Sequence, residues 1–137
     1  MSYLIDTNVI SELVKAKPEP RVLGWFGGVA DETLYLSVLT LGELRNGVES
    51  LPKGSRRERL RVWLEHDLPA WFGERLLPVD AAIADRWGRL LAGAGRTLPA
   101  VDSLLAATAL QHDLRIVTRN AADFRLPGVE VIDPWSA

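Results

Sequence analysis

The sequence predicts an α/β fold: a three-layer α/β/α sandwich around a four- or five-stranded, mostly parallel sheet. Two observations indicate this class. Short apolar runs alternate along the chain with longer amphipathic segments, and most of those runs lack the apolar–polar alternation of half-exposed strands, so the strands are covered on both faces. The 137 residues, 47% hydrophobic and 25% charged, suit a single domain that covers residues 1–137.

The short apolar runs mark the strands. We predict strands at 3–5, 34–38, 76–79, 115–118 and 129–132. The second is rich in β-branched and aromatic residues, which favour strands. Pro78 places the third at an edge of the sheet, because proline cannot donate a ladder hydrogen bond. The last is short, and it leaves the strand count at four or five.

The segments between the strands have helical features. We predict helices at about 8–15, 20–27, 41–50, 55–71, 81–93 and 100–112. Thr7 and Asp80 are candidate N-caps for the first and fifth helices. Thr40 is a candidate N-cap for the third, and Glu43 follows it at the spacing of a capping box. Apolar residues recur at helical spacing through 55–71, which indicates one long amphipathic helix.

Composition excludes several classes of protein. The chain has no cysteine, which excludes disulfides, thiol catalysis and cysteine-bound zinc. No apolar run approaches the ~20 residues of a membrane span, and no basic stretch precedes an apolar run as in a signal peptide. We therefore expect a cytoplasmic protein with no membrane association. The net charge of −2 lacks the basic balance of a typical nucleic-acid binder, so RNA binding would depend on a local patch or on metal ions.

Four acidic residues follow predicted strands or open predicted helices. Asp6 ends the first strand, and Glu43 lies in the first turns of the helix after the second. Asp102 lies near the start of the last helix, and Asp123 follows the fourth strand by about one turn. Sites in open parallel sheets lie beyond the carboxyl ends of the strands. We therefore expect these four carboxylates to meet at one end of the sheet.

Four carboxylates at one place repel one another unless a cation balances them. Carboxylate oxygens suit Mg²⁺ or Mn²⁺, hard ions that also bind substrate phosphates. Such ions can orient a water molecule, lower its pKa and stabilise the charge that develops in phosphodiester hydrolysis. In this interpretation Asp6 is a metal ligand, Thr7 is a cap or a supporting hydroxyl, and Asn8 is a helix-start residue or a supporting amide.

Each acid also has a simpler interpretation. Asp6 alone suits a helix cap, and Glu43 alone suits the capping box. Asp102 alone suits a charge that complements the helix dipole, and Asp123 alone suits a loop. Spacing leaves these alternatives open for every acid taken singly. Only their expected convergence favours a metal site.

The order of these motifs is similar to that of a known family. The sequence resembles the PIN-domain ribonucleases, and specifically the VapC-like toxins of bacterial toxin–antitoxin pairs. The resemblance runs from residue 3 to 134 through the segments YLIDTNVISEL, TLGELRNGV, LPAVDSLLAATAL, IVTRNAADF and GVEVIDP. It implies a PIN-like sandwich, Mg²⁺- or Mn²⁺-dependent cleavage of RNA, a homodimer and a cognate VapB-like antitoxin.

The resemblance also assigns site residues. The family's metal-binding acids match Asp6, Glu43, Asp102 and Asp123, and none of the four departs from the pattern. It implies that the first three hold one ion and that the fourth shares it or holds a second. Thr118 and Asn120 match a polar pair beside the site, and Thr7 matches a hydroxyl that supports the first acid. His66 and His112 are expected to be ordinary surface or boundary residues.

The sequence indicates residues that contact substrate or partner less specifically than it indicates the four acids. Arg45, Arg96 and Arg119 are candidates for phosphate contacts, and equally for solubilising charges or ion-pair partners of acids. The basic cluster at 56–61 favours a solvated helix face over RNA steering. Two further aromatic residues, Trp63 and Trp71, lie eight positions apart on the predicted helix and are candidates to line a groove for an amphipathic segment of the antitoxin.

Two other functions compete with ribonuclease activity. A haloacid-dehalogenase-like phosphatase also has an aspartate after its first strand, but its chemistry requires a second aspartate two residues later, where this chain has Asn8. A non-catalytic PIN-like binding module would usually have lost one or more of the four acids, and none is missing here. Turnover of a small phosphate ester would indicate the phosphatase. Metal binding without RNA hydrolysis would indicate the module.

Overall fold

Five short strands form the centre of the molecule in a computed structural model that describes residues 1–136. They are β1 (Tyr3–Ile5), β2 (Leu34–Ser37), β3 (Leu76–Leu77), β4 (Arg115–Val117) and β5 (Val131–Ile132). Their order in the sheet is β3-β2-β1-β4-β5, and every neighbouring pair is parallel. The predicted fold class is confirmed with five strands, and β3 lies at an edge as Pro78 predicts. β3 and β5 are shorter than their apolar runs suggest.

Seven helices connect and cover these strands. They are α1 (Thr7–Glu12), α2 (Pro20–Gly27), α3 (Val38–Glu49), α4 (Ser55–Val62), α5 (Leu68–Phe72), α6 (Ala81–Gly93) and α7 (Ala100–His112). Short 3₁₀ turns occur at Asp31–Thr33, Gly73–Arg75 and Ala121–Phe124. Across residues 1–136, none of the helices is both long enough and apolar enough to cross a bilayer.

The two faces of the sheet bury separate hydrophobic cores, because successive strand residues point to opposite faces. Ile5 and Val117 belong to the core beneath α1 to α5, whereas Leu4 and Ile116 belong to the core beneath α7. The α7 helix is buried along most of its length and packs closely with α6. This arrangement is the predicted three-layer sandwich.

Two predicted helix starts are wrong. The N-cap of α1 is Asp6, whose side chain accepts from the Thr7 amide, so Thr7 is the first helical residue. The N-cap of α3 is Ser37, whose hydroxyl accepts from the Leu39 amide at 3.1 Å. Thr40 is instead fully buried inside the helix. Glu43 therefore does not close a capping box, and its carboxylate is free for another role.

The long helix predicted over 55–71 is interrupted. A π-helical segment, Trp63–Asp67, separates α4 from α5. Pro69 explains the interruption, because a proline ring clashes with the carbonyl four residues earlier and has no N–H to donate. A wider π turn before the proline relieves this clash while the chain stays helical.

Candidate active site

Asp6 lies at the carboxyl end of the central strand β1 and is held on three sides. Its backbone N–H donates to the Val117 carbonyl of β4 at 2.9 Å. One carboxylate oxygen accepts from the Thr7 amide at 2.8 Å, and the other accepts from the Thr118 hydroxyl at 2.8 Å. Only 7% of the residue is exposed. Asp6 is thus a helix cap, as the simpler interpretation holds. Its carboxylate is also held in place at the end of the sheet where the carboxyl ends of the strands meet.

Thr118 and Asn8 link the ends of β1 and β4. The Thr118 hydroxyl accepts from the Asn120 amide at 3.0 Å and from the Asn8 side-chain amide at 3.3 Å. The side-chain oxygen of Asn8 (Oδ1) accepts from the Arg119 backbone amide at 3.1 Å. Chain order reverses about β1, so this network lies at the switch point where parallel sheets bind ligands. Thr118 and Asn120 lie beside Asp6 as expected, and Asn8 is the supporting amide.

Glu43 approaches from α3. The Thr7 hydroxyl donates to a Glu43 carboxylate oxygen at 2.5 Å, so α1 and α3 are joined above the strand ends. The resemblance assigns this hydroxyl to the first acid, but it contacts Glu43, and only the backbone amide of Thr7 contacts Asp6. Glu43 is exposed and open to a ligand.

Asp102 approaches from the first turn of α7, where it is partly exposed. The neighbouring Ser103 fixes this turn, because its hydroxyl bonds to the Pro99 carbonyl at 2.7 Å and accepts from the Trp87 indole N–H at 2.9 Å. Ser103 is 1% exposed. No local sequence pattern signals this contact, because it joins two different helices.

Asp123 lies in the 3₁₀ turn that follows β4. Its side chain is exposed, and its backbone N–H donates to the Asn120 carbonyl at 3.0 Å. The turn therefore connects Asp123 to the same polar network that holds Thr118. All four predicted acids lie on elements that surround the carboxyl ends of β1 and β4.

Electrostatic coupling shows that these acids are near one another. Burial raises the pKa of Asp6, the Asp123 charge raises it further, and hydrogen bonds from Thr118 and Thr7 oppose the rise. Burial also raises the pKa of Asp102, and so do the charges of Asp6, Asp123 and Glu43. The charges of all three other acids thus affect the pKa of Asp102. Within residues 1–136, however, no three histidine, cysteine or acidic side chains are close enough to hold one metal ion together.

Ion pairs hold Arg57 and Arg61 of the basic cluster at 56–61 and the nearby Arg45. Arg45 pairs with Glu49 at 3.4 Å and with Glu65 at 3.3 Å. Arg61 pairs with Glu58 and Glu65, and these pairs lower the pKa of both glutamates. This network supports the solvated-face interpretation of the cluster at 56–61. It also commits Arg45 to protein carboxylates.

Comparison with known proteins agrees with this fold. A family model described as the PIN domain matches residues 3–128, and the chain belongs to the PIN-domain family. It is 41% identical over 136 residues to the VapC ribonuclease Y4jK of Sinorhizobium fredii, and the aligned region covers 96% of each chain. Within the family it therefore falls among the VapC-like toxins.

Solved structures have the same fold. The crystal structure of FitAcB from Neisseria gonorrhoeae superposes with a TM-score of 0.90 at 36% identity, covering 98% of this chain and 99% of that chain. A member of the VapBC family of toxin–antitoxin systems from Mycobacterium tuberculosis, VapBC-5, superposes with a TM-score of 0.65 at 27% identity, covering 96% and 97% of the two chains.

Proposed function

We propose that the protein is a metal-dependent endoribonuclease and the toxin of a toxin–antitoxin pair. The observation that carries the proposal is the buried Asp6 carboxylate, fixed at the switch point of the sheet and coupled in charge to the other acids of the same edge. The similarity to a VapC ribonuclease supports RNA as the substrate class.

The cofactor proposed is Mg²⁺ or Mn²⁺. The donors on this edge are carboxylate oxygens, and the chain contains no cysteine, so the ligand chemistry fits a hard divalent ion. The acids that would hold such ions are Asp6, Glu43 and Asp102 for the first, with Asp123 sharing it or holding a second. Their side chains are too far apart to do so in the structure of residues 1–136, so they would have to move together when the ion binds. When bound, such an ion lowers the pKa of a water molecule and balances charge on the phosphate.

The chain's own residues prepare this edge for the reaction. Thr118 and the Thr7 amide donate to the two oxygens of Asp6 and favour its ionised form, which counteracts its burial. The Thr7 hydroxyl orients Glu43. Ser103, held by Trp87, fixes the turn that carries Asp102. These contacts orient the carboxylates of Asp6 and Glu43 and fix the helix turn that carries Asp102 before RNA arrives.

Cleavage of total RNA tests the proposed function. We expect antitoxin-free protein to give discrete fragments with Mg²⁺ or Mn²⁺, none with chelator, and at least about 100-fold slower cleavage by Asp102→Asn, because metal affinity depends on each carboxylate. Asp102 is partly exposed, so this variant is expected to fold. Fragment patterns on a denaturing gel are the measurement.

Asp85→Asn is the matched control, since Asp85 is an exposed acid of α6 that pairs with Arg89. It is expected to cleave like the wild type. If folded, metal-loaded protein cleaves no RNA, the result favours the binding module over a ribonuclease. If it hydrolyses a small phosphate ester instead, the phosphatase is correct.

An aromatic row formed by Trp25, Phe26, Trp63 and Trp71 is the proposed antitoxin site. Trp25 and Phe26 of α2 have ring centroids 5.2 Å apart, and Phe26 and Trp71 of α5 lie 6.1 Å apart. Trp63 packs against the same core, and all four rings are only partly buried. An amphipathic segment of the antitoxin would complete their burial. The structural relative from a toxin–antitoxin family supports such a partner, and the homodimer stays a prediction that sedimentation would test.

We expect Trp71→Ala to weaken binding of the cognate antitoxin about tenfold or more, because buried aromatic anchors dominate interface energies. Calorimetric titration with the purified antitoxin is the measurement. Tyr35→Ala, which truncates a partly buried aromatic residue of β2 that packs against the core on the other face of the sheet, is the control and should bind normally. Equal affinity for Trp71→Ala and the wild type would place the partner elsewhere.

A further inference from the structure

We infer that Arg119, held over the ring of Trp135, contacts a phosphate of the RNA strand next to the one that is cleaved. This inference rests on the proposed function for its substrate class. It assigns a substrate contact to one of the three arginines that the sequence alone could not separate.

Arg119 lies immediately beside the acidic site. It follows Thr118 in the chain, and its backbone N–H donates to Asn8, whose amide in turn reaches a carboxylate oxygen of Asp6 at 3.4 Å. Trp135 follows β5, the neighbour of β4 in the sheet. Both residues therefore extend from the same edge of the sheet as Asp6.

The Trp135 ring provides a fixed platform. The guanidinium carbon of Arg119 lies 4.8 Å from the ring centroid, a distance at which a cation is attracted to an aromatic face. The ring packs against the core beneath α1 to α5. Asp133 fixes the turn, because its carboxylate accepts from the Trp135 amide at 2.9 Å and from the Ser136 hydroxyl at 3.2 Å.

The donors of Arg119 are not used by the protein. Of the other two candidate arginines, Arg45 pairs with Glu49 and Glu65. Within residues 1–136 Arg96 has no ion pair either, but only Arg119 of the three lies over an aromatic ring. Among residues 1–136, no carboxylate lies within 4.0 Å of the Arg119 guanidinium, and no acceptor hydrogen-bonds to it. The residue is exposed, so its donors can reach a ligand. The pKa of Glu12 is lowered chiefly by its hydrogen bond from Lys15, at 2.8 Å, and only secondarily by the charge of Arg119.

A phosphate is the ligand that this arrangement suits. The guanidinium fork matches phosphate oxygens, and a stacked guanidinium loses less freedom when it binds them. An edge lined by four acids repels the RNA backbone, and the net charge of the chain is −2, so a cation beside the site would add local attraction to that of any bound metal ion. Phosphate contacts position a strand without reading its sequence.

Binding of RNA without cleavage tests the inference. The probe is a fluorescein-labelled single-stranded RNA of mixed sequence, titrated with full-length protein in chelator over a range of salt concentrations. We expect Arg119→Gln to lower the affinity about three- to tenfold at low salt. We also expect the slope of log affinity against log salt to fall by about 0.7, the value for one phosphate contact on a single strand.

Two further variants separate charge from platform. Trp135→Leu keeps the charge but removes the ring, so it should lower the affinity by less and keep the slope. Arg89→Gln is the control for net charge, because Arg89 is 82% exposed on α6. It should bind like the wild type. Thermal melts confirm that each variant is folded.

Unchanged affinity of Arg119→Gln, or an equal loss in Arg89→Gln, would overturn the inference. The result is independent of catalysis. If Arg119→Gln binds RNA weakly but the wild type cleaves none, the phosphate contact stands and the ribonuclease proposal fails. If the wild type cleaves RNA and Arg119→Gln binds it normally, only the phosphate contact fails.

Discussion

Asp6→Asn should lower metal-dependent RNA cleavage at least about 100-fold while leaving the folded protein as stable as the wild type or slightly more stable. The loss of cleavage follows because an amide replaces the most tightly fixed carboxylate of the site. The stability follows because burial outweighs the hydrogen bonds to Asp6 and raises its pKa. Its ionised form therefore destabilises the fold near neutral pH, and a neutral amide of the same size removes that penalty.

Cleavage of total RNA and denaturant unfolding at pH 7 measure the two halves of this prediction. The free energy of unfolding should rise, or fall by less than about 1 kcal/mol, because the amide oxygen can still accept from the Thr7 amide. Asp85→Asn should change neither quantity, since Asp85 is exposed on α6. A variant that keeps full activity, or that loses activity only because it unfolds, contradicts the prediction.

The same conflict between stability and activity applies to the whole group of four acids at the carboxyl ends of the strands. Asp6, Glu43 and Asp123 all raise the pKa of Asp102, so folding brings together charges that the unfolded chain keeps apart. Hydrogen bonds from Thr118 and Thr7 offset part of this repulsion. An arrangement that destabilises the protein in this way is typical of a binding site.

Much of the fold was accessible from sequence because strand and helix signals are local. The apolar runs indicated the strand positions and a count of four or five, and Pro78 placed β3 at an edge. The acids at the strand ends followed from one geometric rule, that carboxyl ends of parallel strands meet at one edge. Strand order did not follow, because it depends on contacts between residues far apart in the chain.

The errors have definite physical causes. Ser37 and Thr40 both carry hydroxyls that can cap a helix, and the spacing from Thr40 to Glu43 coincides with a capping box. The coincidence concealed that Glu43 is held from α1 by Thr7. Pro69 was visible in the sequence, but a single proline does not distinguish a broken helix from one that continues through a π turn. The Trp87–Ser103 bond joins two helices and has no local signature.

The metal-free protein should be more stable at mildly acidic pH than at pH 7. A carboxyl group whose pKa is raised in the folded state binds protons more tightly there than in the unfolded chain. Its stabilising contribution is complete below the unfolded pKa, near ~4, and is lost as the pH rises through the folded pKa. Asp6 and Asp102 both have raised pKa values.

The other shifted acids act at lower pH. Hydrogen bonds from Lys15 lower the pKa of Glu12, and those from Arg61 lower the pKa of Glu58 and Glu65. Their contributions are lost only as the pH falls through those lowered values, below about 4.3. Above about pH 4.5 the acids with shifted pKa values that still titrate are thus Asp6 and Asp102. Stability should decline as the pH rises through their raised folded pKa values.

Saturating Mn²⁺ should reverse this dependence. Metal binding requires ionised carboxylates, so protons compete with it and the stabilisation is greatest near pH 7. At about 100 times its dissociation constant the ion adds about 2.7 kcal/mol, which raises the melting temperature by roughly 10 °C for a domain of this size. Melting curves at a series of pH values, with Mn²⁺ and with chelator, measure both profiles. Identical curves at pH 7 would mean that the four acids hold no ion.

Thr118→Val isolates the contribution of the hydroxyl that donates to Asp6. Without it the pKa of Asp6 rises further, so the acid-side stabilisation of the metal-free protein should extend to higher pH and Mn²⁺ should bind more weakly at any given pH. Thr108→Val is the matched control, since Thr108 is buried like Thr118 but donates to the Leu104 carbonyl within α7. It should leave the pH dependence unchanged. A shift of equal size in both variants would mean that general destabilisation, and not the contact with Asp6, sets the profile.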